Sequence, residues 1–337
     1  MDTTIEPTRA AIVALATRIV AVLTIAVAAA SCASSSGGDP SLDLSRAEAG
    51  LRHPVELAAG ETRSLDHPDF EPDVAARALW SPRDMLRNRR AGIFFIEPYD
   101  PQRIPVLFVH GIRGTPRNFR PLIESLDRSR FQAWVFSYPT GLRTESAVAL
   151  LRLALEEIER KHRFETLFIA AHSLGGLVSY GYVKAGFPDS VRVKMLATFA
   201  TPWMGNEWAA VGARNLPSPV PVWIDLSPES AFLASLREPP ARDTNLPPHY
   251  VFFGFGRELS LLSTECTDGV ISLASQLPSW IQDRAAAYWG YDATHAGILS
   301  DHEARQRFQL VIQSVADRLV PNPIEFAGPT SAPVNHL

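Results

Sequence analysis

Residues 166–179 read TLFIAAHSLGGLVS, and the fold turns on how this stretch is parsed. Residues 167–170 form an unbroken apolar run of strand length, and a second apolar stretch follows Gly175 and Gly176. A run of that kind suits a strand buried on both faces, and the residues after it suit a helix. Between the two stand His172 and Ser173. The serine either caps a buried helix or sits on a sharp strand-to-helix turn that presents its hydroxyl. Ala171 occupies the position where the G-x-S-x-G pattern of such turns has its first glycine, while Gly175 keeps the second.

Working outward, five more short apolar runs lie at 93–96, 106–109, 133–136, 195–199 and 250–253. None alternates with polar residues, as expected of strands covered on both faces of a parallel sheet. Helical spacing separates several of them. Ala147, Leu150, Leu151, Ala154 and Ile158 recur on one face, and Phe308, Val311, Ile312 and Val315 do so near the end. The pattern predicts an α/β fold with a mostly parallel central sheet and helices on both faces. In such sheets ligands bind beyond the carboxyl ends of the strands, so the loops there are the places to look for chemistry.

Those loops carry reactive residue types. His110-Gly111-Ile112-Arg113-Gly114 follows the second run, and His172-Ser173-Leu174 follows the fourth. Thr267-Asp268-Gly269 lies beyond the sixth, and Thr294-His295-Ala296-Gly297 stands near the end. A serine hydroxyl becomes a good nucleophile only when an imidazole takes its proton, and a carboxylate must fix that imidazole's tautomer. Backbone N–H groups must then hold the oxyanion. These requirements assign Ser173 as nucleophile, His295 as base and Asp268 as the orienting acid, with the N–H groups of Ile112 and Leu174 as oxyanion donors. His302 is the alternative base, at the start of the last helix. Asp225, after the fifth run, is the alternative acid.

Taken in order, six motifs resemble α/β-hydrolases of the lipase and esterase kind. They are V-H-G-I-x-G-T-P at 109–116, Y-P-T-G at 138–141, A-H-S-L-G-G at 171–176, T-P-W-x-G at 201–205, T-D-G-V at 267–270 and T-H-A-G-I-L at 294–299. The match is similar in pattern to A-H-S-x-G lipases and to bacterial relatives of GPI inositol-deacylase. The resemblance implies an α/β-hydrolase fold over residues 91–320 and a supporting, non-basic role for His110 and Gly111 in the oxyanion loop. His172 is expected to pack beside the base rather than act as one. Residues 203–248, with Trp203, Trp208, Trp223 and Phe232, are a candidate cap over an acyl-binding cleft. The implied function is hydrolysis of carboxylic esters, acyl lipids above all. An acyltransferase would use the same residues, and a silent binding protein on the same scaffold would have lost one of them.

The ends of the chain suggest export. An uncharged run at 19–30 is too short to span a bilayer but suits a signal peptide over 1–31. It ends in Ala29-Ala30-Ser31-Cys32 and is followed by a serine- and glycine-rich stretch, which resembles a bacterial lipoprotein signal with lipidation at Cys32. Residues 32–90 are then a tether with a short helical extension, and 321–337 a proline-rich tail. The expected location is a membrane of the cell envelope, the outer one if the host is Gram-negative. Of the 2 cysteines, lipidation of Cys32 leaves Cys266 unpaired and expected to pack as a small buried residue. With 46% hydrophobic and 20% charged residues the chain is that of a globular protein with a sizeable core. A formal net charge of -4 leaves no basic footprint for nucleic acid. No H-x-x-x-H or C-x-x-C spacing occurs, so no metal or organic cofactor is expected, and no obligate protein partner is inferred.

Overall fold

The apolar runs become strands because each offers two apolar faces that only a covered sheet can bury. The computed structural model describes residues 57–186, 192–240, 245–260 and 263–319. The expected signal peptide, Cys32, most of the tether and the tail at 321–337 lie outside the described residues. The main sheet has eight strands in the order β1-β2-β4-β3-β5-β6-β7-β10. Its strands are β1 (Ala58–Thr62), β2 (Gly92–Phe95), β3 (Ile104–Val109), β4 (Phe131–Ser137), β5 (Leu167–His172), β6 (Val193–Phe199), β7 (His249–Gly254) and β10 (Ala287–Tyr291). A separate hairpin pairs β8 (Arg257–Ser260) with β9 (Ser263–Thr267).

All six predicted runs are strands of the main sheet. Its pairs are parallel except β2 with β4, so β1 and β2 run against the rest. The run at 93–96 was expected to be parallel; its antiparallel strand shows the same unbroken apolar character because it too is covered on both faces. Two strands of the main sheet escaped the sequence pattern, as did both strands of the hairpin. β1, AAGET, lies inside the extension expected to be only helical, and β10, AYWGY, is an edge strand with alternate residues open to solvent. In the first pair Gly92, at φ +131°, abuts the Ala58 main chain so closely that any Cβ there would collide with it.

Helices cover both faces. On one, Ile169 and Ala171 of β5 meet Leu150, Leu151, Ala154 and Ile158 of the helix Thr144–His162. On the other, Phe168 and Ala170 meet Phe308, Val311, Ile312 and Val315 of the helix His302–Leu319. Each large aliphatic or aromatic side chain buried this way contributes roughly 1.5–3 kcal/mol. The expected helical extension is present as Pro72–Trp80 and Pro82–Arg87. Cys266 departs from expectation: it is exposed, because β9 pairs only with β8 and stands off the main sheet.

The extension is fastened at one point above all. Arg117, in the short 3-10 turn Pro116–Phe119, donates to the carbonyls of Leu65 (2.8 Å), Asp66 (3.0 Å) and His67 (3.2 Å) and pairs with Glu71 at 3.0 Å. Charge-assisted bonds of this kind outweigh neutral ones. Arg117→Ala is expected to cost about 1–2 kcal/mol and to lower the Tm by about 2–4 °C in a domain of this size. A thermal melt that does not move would refute the clamp.

Candidate active site

Ser173 is placed by the crossing of β5 into the helix Leu174–Lys184. Its N–H donates to the Phe199 carbonyl at 2.8 Å, extending the β5–β6 ladder, and its own carbonyl accepts from Gly176 N at 2.9 Å. Between these two anchors the serine is forced to φ +54°, ψ -125°, a region that L-residues avoid. The neighbours leave no slack. A Cβ on Gly175 would strike the Val109 carbonyl, and one on Gly111 would lie 2.7 Å from the Ser173 Cβ. The side chain makes no cap to its helix. Of the two readings of the serine, the structure takes the sharp turn.

The three side chains expected to act together form one line. His295 Nε2 lies 3.0 Å from Ser173 Oγ, and His295 Nδ1 lies 2.7 Å from Asp268 Oδ2. Since a carboxylate only accepts, Nδ1 carries the proton and Nε2 is left to accept from the serine. Asp268 Oδ1 accepts from the N–H groups of Val270 (2.9 Å) and Ile271 (2.8 Å), so both oxygens of this buried acid are satisfied. Gln276, fully buried, bonds both main-chain groups of Gly254 and the Ile271 carbonyl, tying the end of β7 to the acid's loop. His295 N donates to the Asp268 carbonyl at 3.0 Å, which locks the two loops together.

The other candidates fall elsewhere. Asp225 is buried and pairs with Arg143 at 2.6 Å while accepting from Thr144 N at 2.5 Å. It satisfies the start of the helix Thr144–His162, and burial pushes its pKa up. His302 is an exposed residue of the last helix, 3.3 Å from Gln306. His172 makes a contact that the sequence did not reveal: its Nε2 donates to the His295 carbonyl at 2.7 Å, fixing the base's main chain. Adjacency to Ser173 was the only signal of it. His110 stacks on Tyr138, whose hydroxyl donates to the His110 carbonyl at 2.8 Å, and its Nδ1 donates to the Gly111 carbonyl at 3.0 Å. That bond shapes the turn that carries Ile112.

The line of side chains opens into a cleft of about 420 Å³. Ile112, Ser173 and His295 line it, as do Trp208, Trp223 and Leu226. The last three come from helices Glu207–Asn215 and Pro221–Asp225 and the residue after them, within the candidate cap. Trp203 and Phe232, from the same stretch, are buried in the core. Among the described residues neither Ile112 N nor Leu174 N meets a protein acceptor, and Leu174 opens its helix, where N–H groups lack intrahelical partners. The arrangement offers a hydroxyl with a base behind it and two unspent N–H donors beside it.

Burial holds three histidines neutral. Desolvation drives the pKa of His172 and of His249 down to about 3 and that of His110 down to about 4. The unfolded chain, with histidine near 6.5, therefore binds protons first as pH falls. Their stabilisation is complete above about pH 6.5 and is lost progressively toward the folded values, at about 2 kcal/mol per histidine between pH 7 and pH 5. Asp225, shifted upward, opposes this through one group. Urea unfolding should give a markedly smaller free energy at pH 5 than at pH 7; equal values would refute neutral burial.

No protein-family model matches the chain, and no curated protein matches its sequence. Solved structures do. The mature form of the lipase BlEst2 from Bacillus licheniformis shares 18% identity at a TM-score of 0.51, over 66% of this chain and 97% of that one. The propeptide form of the same lipase gives 17% identity and a TM-score of 0.50, over 66% of this chain and 53% of that one. At such identities the likeness concerns architecture. Together with the strand order and the turn at Ser173, it establishes that this chain has the α/β-hydrolase fold.

Proposed function

We propose that the protein hydrolyses carboxylic esters, acyl lipids above all, through Ser173, His295 and Asp268. The observation that carries this reading is the unbroken line from Asp268 Oδ2 through His295 to Ser173 Oγ, at 2.7 and 3.0 Å, on the wall of an open cleft. The apolar lining contributed by Trp208, Trp223 and Leu226 suits an acyl chain.

In the proposed reaction Ser173 Oγ attacks the ester carbonyl as its proton passes to His295 Nε2. The carbonyl oxygen, now an anion, is held by the N–H groups of Ile112 and Leu174, each contributing roughly 3–4 kcal/mol. The C–O bond to the alcohol breaks, and His295 returns the proton to that leaving oxygen. Water then repeats the sequence on the acyl-serine, releasing the acid and restoring the enzyme. Asp268 keeps Nδ1 protonated throughout and stabilises the imidazolium. His172 keeps its neutral ring on the His295 carbonyl and takes no proton.

A fluorophosphonate probe should label the wild type and not Ser173→Ala; equal labelling would sink the assignment. The two acids separate by readout. Asp268→Asn is expected to lower kcat about 10³–10⁴-fold with little change in KM. Asp225→Asn should instead lower the Tm and spare turnover, because its carboxylate serves a helix start and Arg143. The reverse pattern would exchange their roles.

We also propose that the protein is exported and held at a membrane of the cell envelope by lipid on Cys32. Support comes from the sequence around Cys32 alone. Cys32→Ala should move the protein from the membrane fraction to the soluble one, and retention of the variant would overturn the anchor.

A further inference from the structure

The loop that presents Ile112 also presents Arg113, and the hydrolase reading leaves this arginine without a task. It lines the cleft and is exposed. Its main chain is held at φ +55°, a conformation that favours glycine, by an N–H bond of 3.1 Å to the buried Thr140 Oγ1. Among the described residues no carboxylate pairs with its guanidinium. Arg103, Arg117 and Arg120, the arginines nearest in sequence, all have such partners.

A second donor stands beside it. Asn118 lines the same cleft, and its Oδ1 accepts from Thr115 N at 2.7 Å. That bond assigns Oδ1 as the acceptor and leaves Nδ2 as the hydrogen-donating end of the amide. No described residue lining the cleft carries a carboxylate, since Asp268 lies behind His295 with both oxygens engaged. The chain as a whole is acidic, at a formal net charge of -4, so an anion is drawn here by local groups and not by the overall field.

We propose that the Arg113 guanidinium and Asn118 Nδ2 form an anion subsite that selects acyl esters bearing a phosphate within a few bonds of the scissile carbonyl. The spacing follows from the chain. Ile112 N is the proposed donor to the carbonyl oxygen, and Arg113, the next residue, lines the same cleft. A planar guanidinium offers paired N–H donors matched to phosphate oxygens. Because the site is exposed, its effect is moderate and weakens with salt. The proposal rests on the hydrolase reading of the cleft, and its test is built to be separable from it.

Binding is measured by calorimetry in the Ser173→Ala protein, which cannot turn over, with a short-chain monoacylglycerol and the matching monoacylglycerol phosphate below their micelle concentrations. The phosphate ester should bind about tenfold more tightly, and the preference should shrink as NaCl is raised. Arg113→Gln should erase the difference and Arg113→Lys should keep part of it. Arg113→Gly, which suits the left-handed backbone and so guards against misfolding, should also erase it. In the Ser173 enzyme the same preference should appear in KM. Inorganic phosphate competing with the acyl phosphate as strongly as a phosphate ester does would mark a site for the free anion, and weak competition one for a lipid headgroup; both support the subsite. Equal binding of the two esters, or an equal loss for both on removing Arg113, would overturn it. Failure of the wild type to hydrolyse any ester would instead overturn the hydrolase reading, while the binding comparison still decides the subsite.

Discussion

Ser173 is an L-residue held at a positive φ, a placement that costs about 1–2 kcal/mol and persists only where surrounding bonds overdetermine it. Here the main chain on either side is committed: the N–H to Phe199 of β6, the carbonyl to Gly176 of the following helix. The close approach of Gly175 to β3 and of Gly111 to the serine's own Cβ then fixes three neighbouring strands and the helix start at one spacing. The rest of the cleft inherits that geometry. The Leu174 N–H is free because its helix begins there, and Ile112 follows directly on Gly111, whose close approach to Ser173 sets that turn.

This constraint explains what the sequence revealed. A strand covered on both faces must be apolar throughout, so the six inner runs were legible without their pairing partners. β10 was not, since only alternate residues of an edge strand need be buried, and in AYWGY the glycine breaks even that pattern. β1 was hidden for another reason: AAGET buries its alanines against β2 through main-chain contact at Gly92, which leaves no hydrophobic signature. Ala171 is instructive in the same terms. Its methyl points into the core shared with Leu107 and Leu177, where added volume makes contact. At Gly175 the same methyl would meet a carbonyl. The two small positions of the turn are therefore not equivalent, and only the second demands glycine.

Choosing among polar residues was harder, because a sequence does not state what a buried carboxylate faces. Asp225 and Asp268 are both buried, one at the end of a short helix and the other directly after β9. What separates them is the partner: an arginine and a helix N–H in one case, an imidazole and two loop N–H groups in the other. Each solution neutralises a charge that burial alone would make costly. His172 follows the same rule in reverse. Stripped of water, its ring stays neutral, so its one N–H can serve as a fixed donor to the His295 carbonyl.

The segment before β2 takes part in these arrangements more than its polar composition suggested. Arg117 ties residues 65–71 to the turn that directly follows the loop at 110–114. Trp80, at the end of the first described helix, meets Trp223 edge to face at 5.7 Å, and Trp223 is part of the cleft's apolar wall. Gly212 also lies against that indole, where an added Cβ would come within 2.8 Å of the ring. Trp223 thus contacts both the extension and the helix Glu207–Asn215. A polypeptide that reached the main domain only as a spacer would touch neither the turn Pro116–Phe119 nor Trp223 of the cleft's lining. This one touches both, so the extension belongs to the architecture of the cleft.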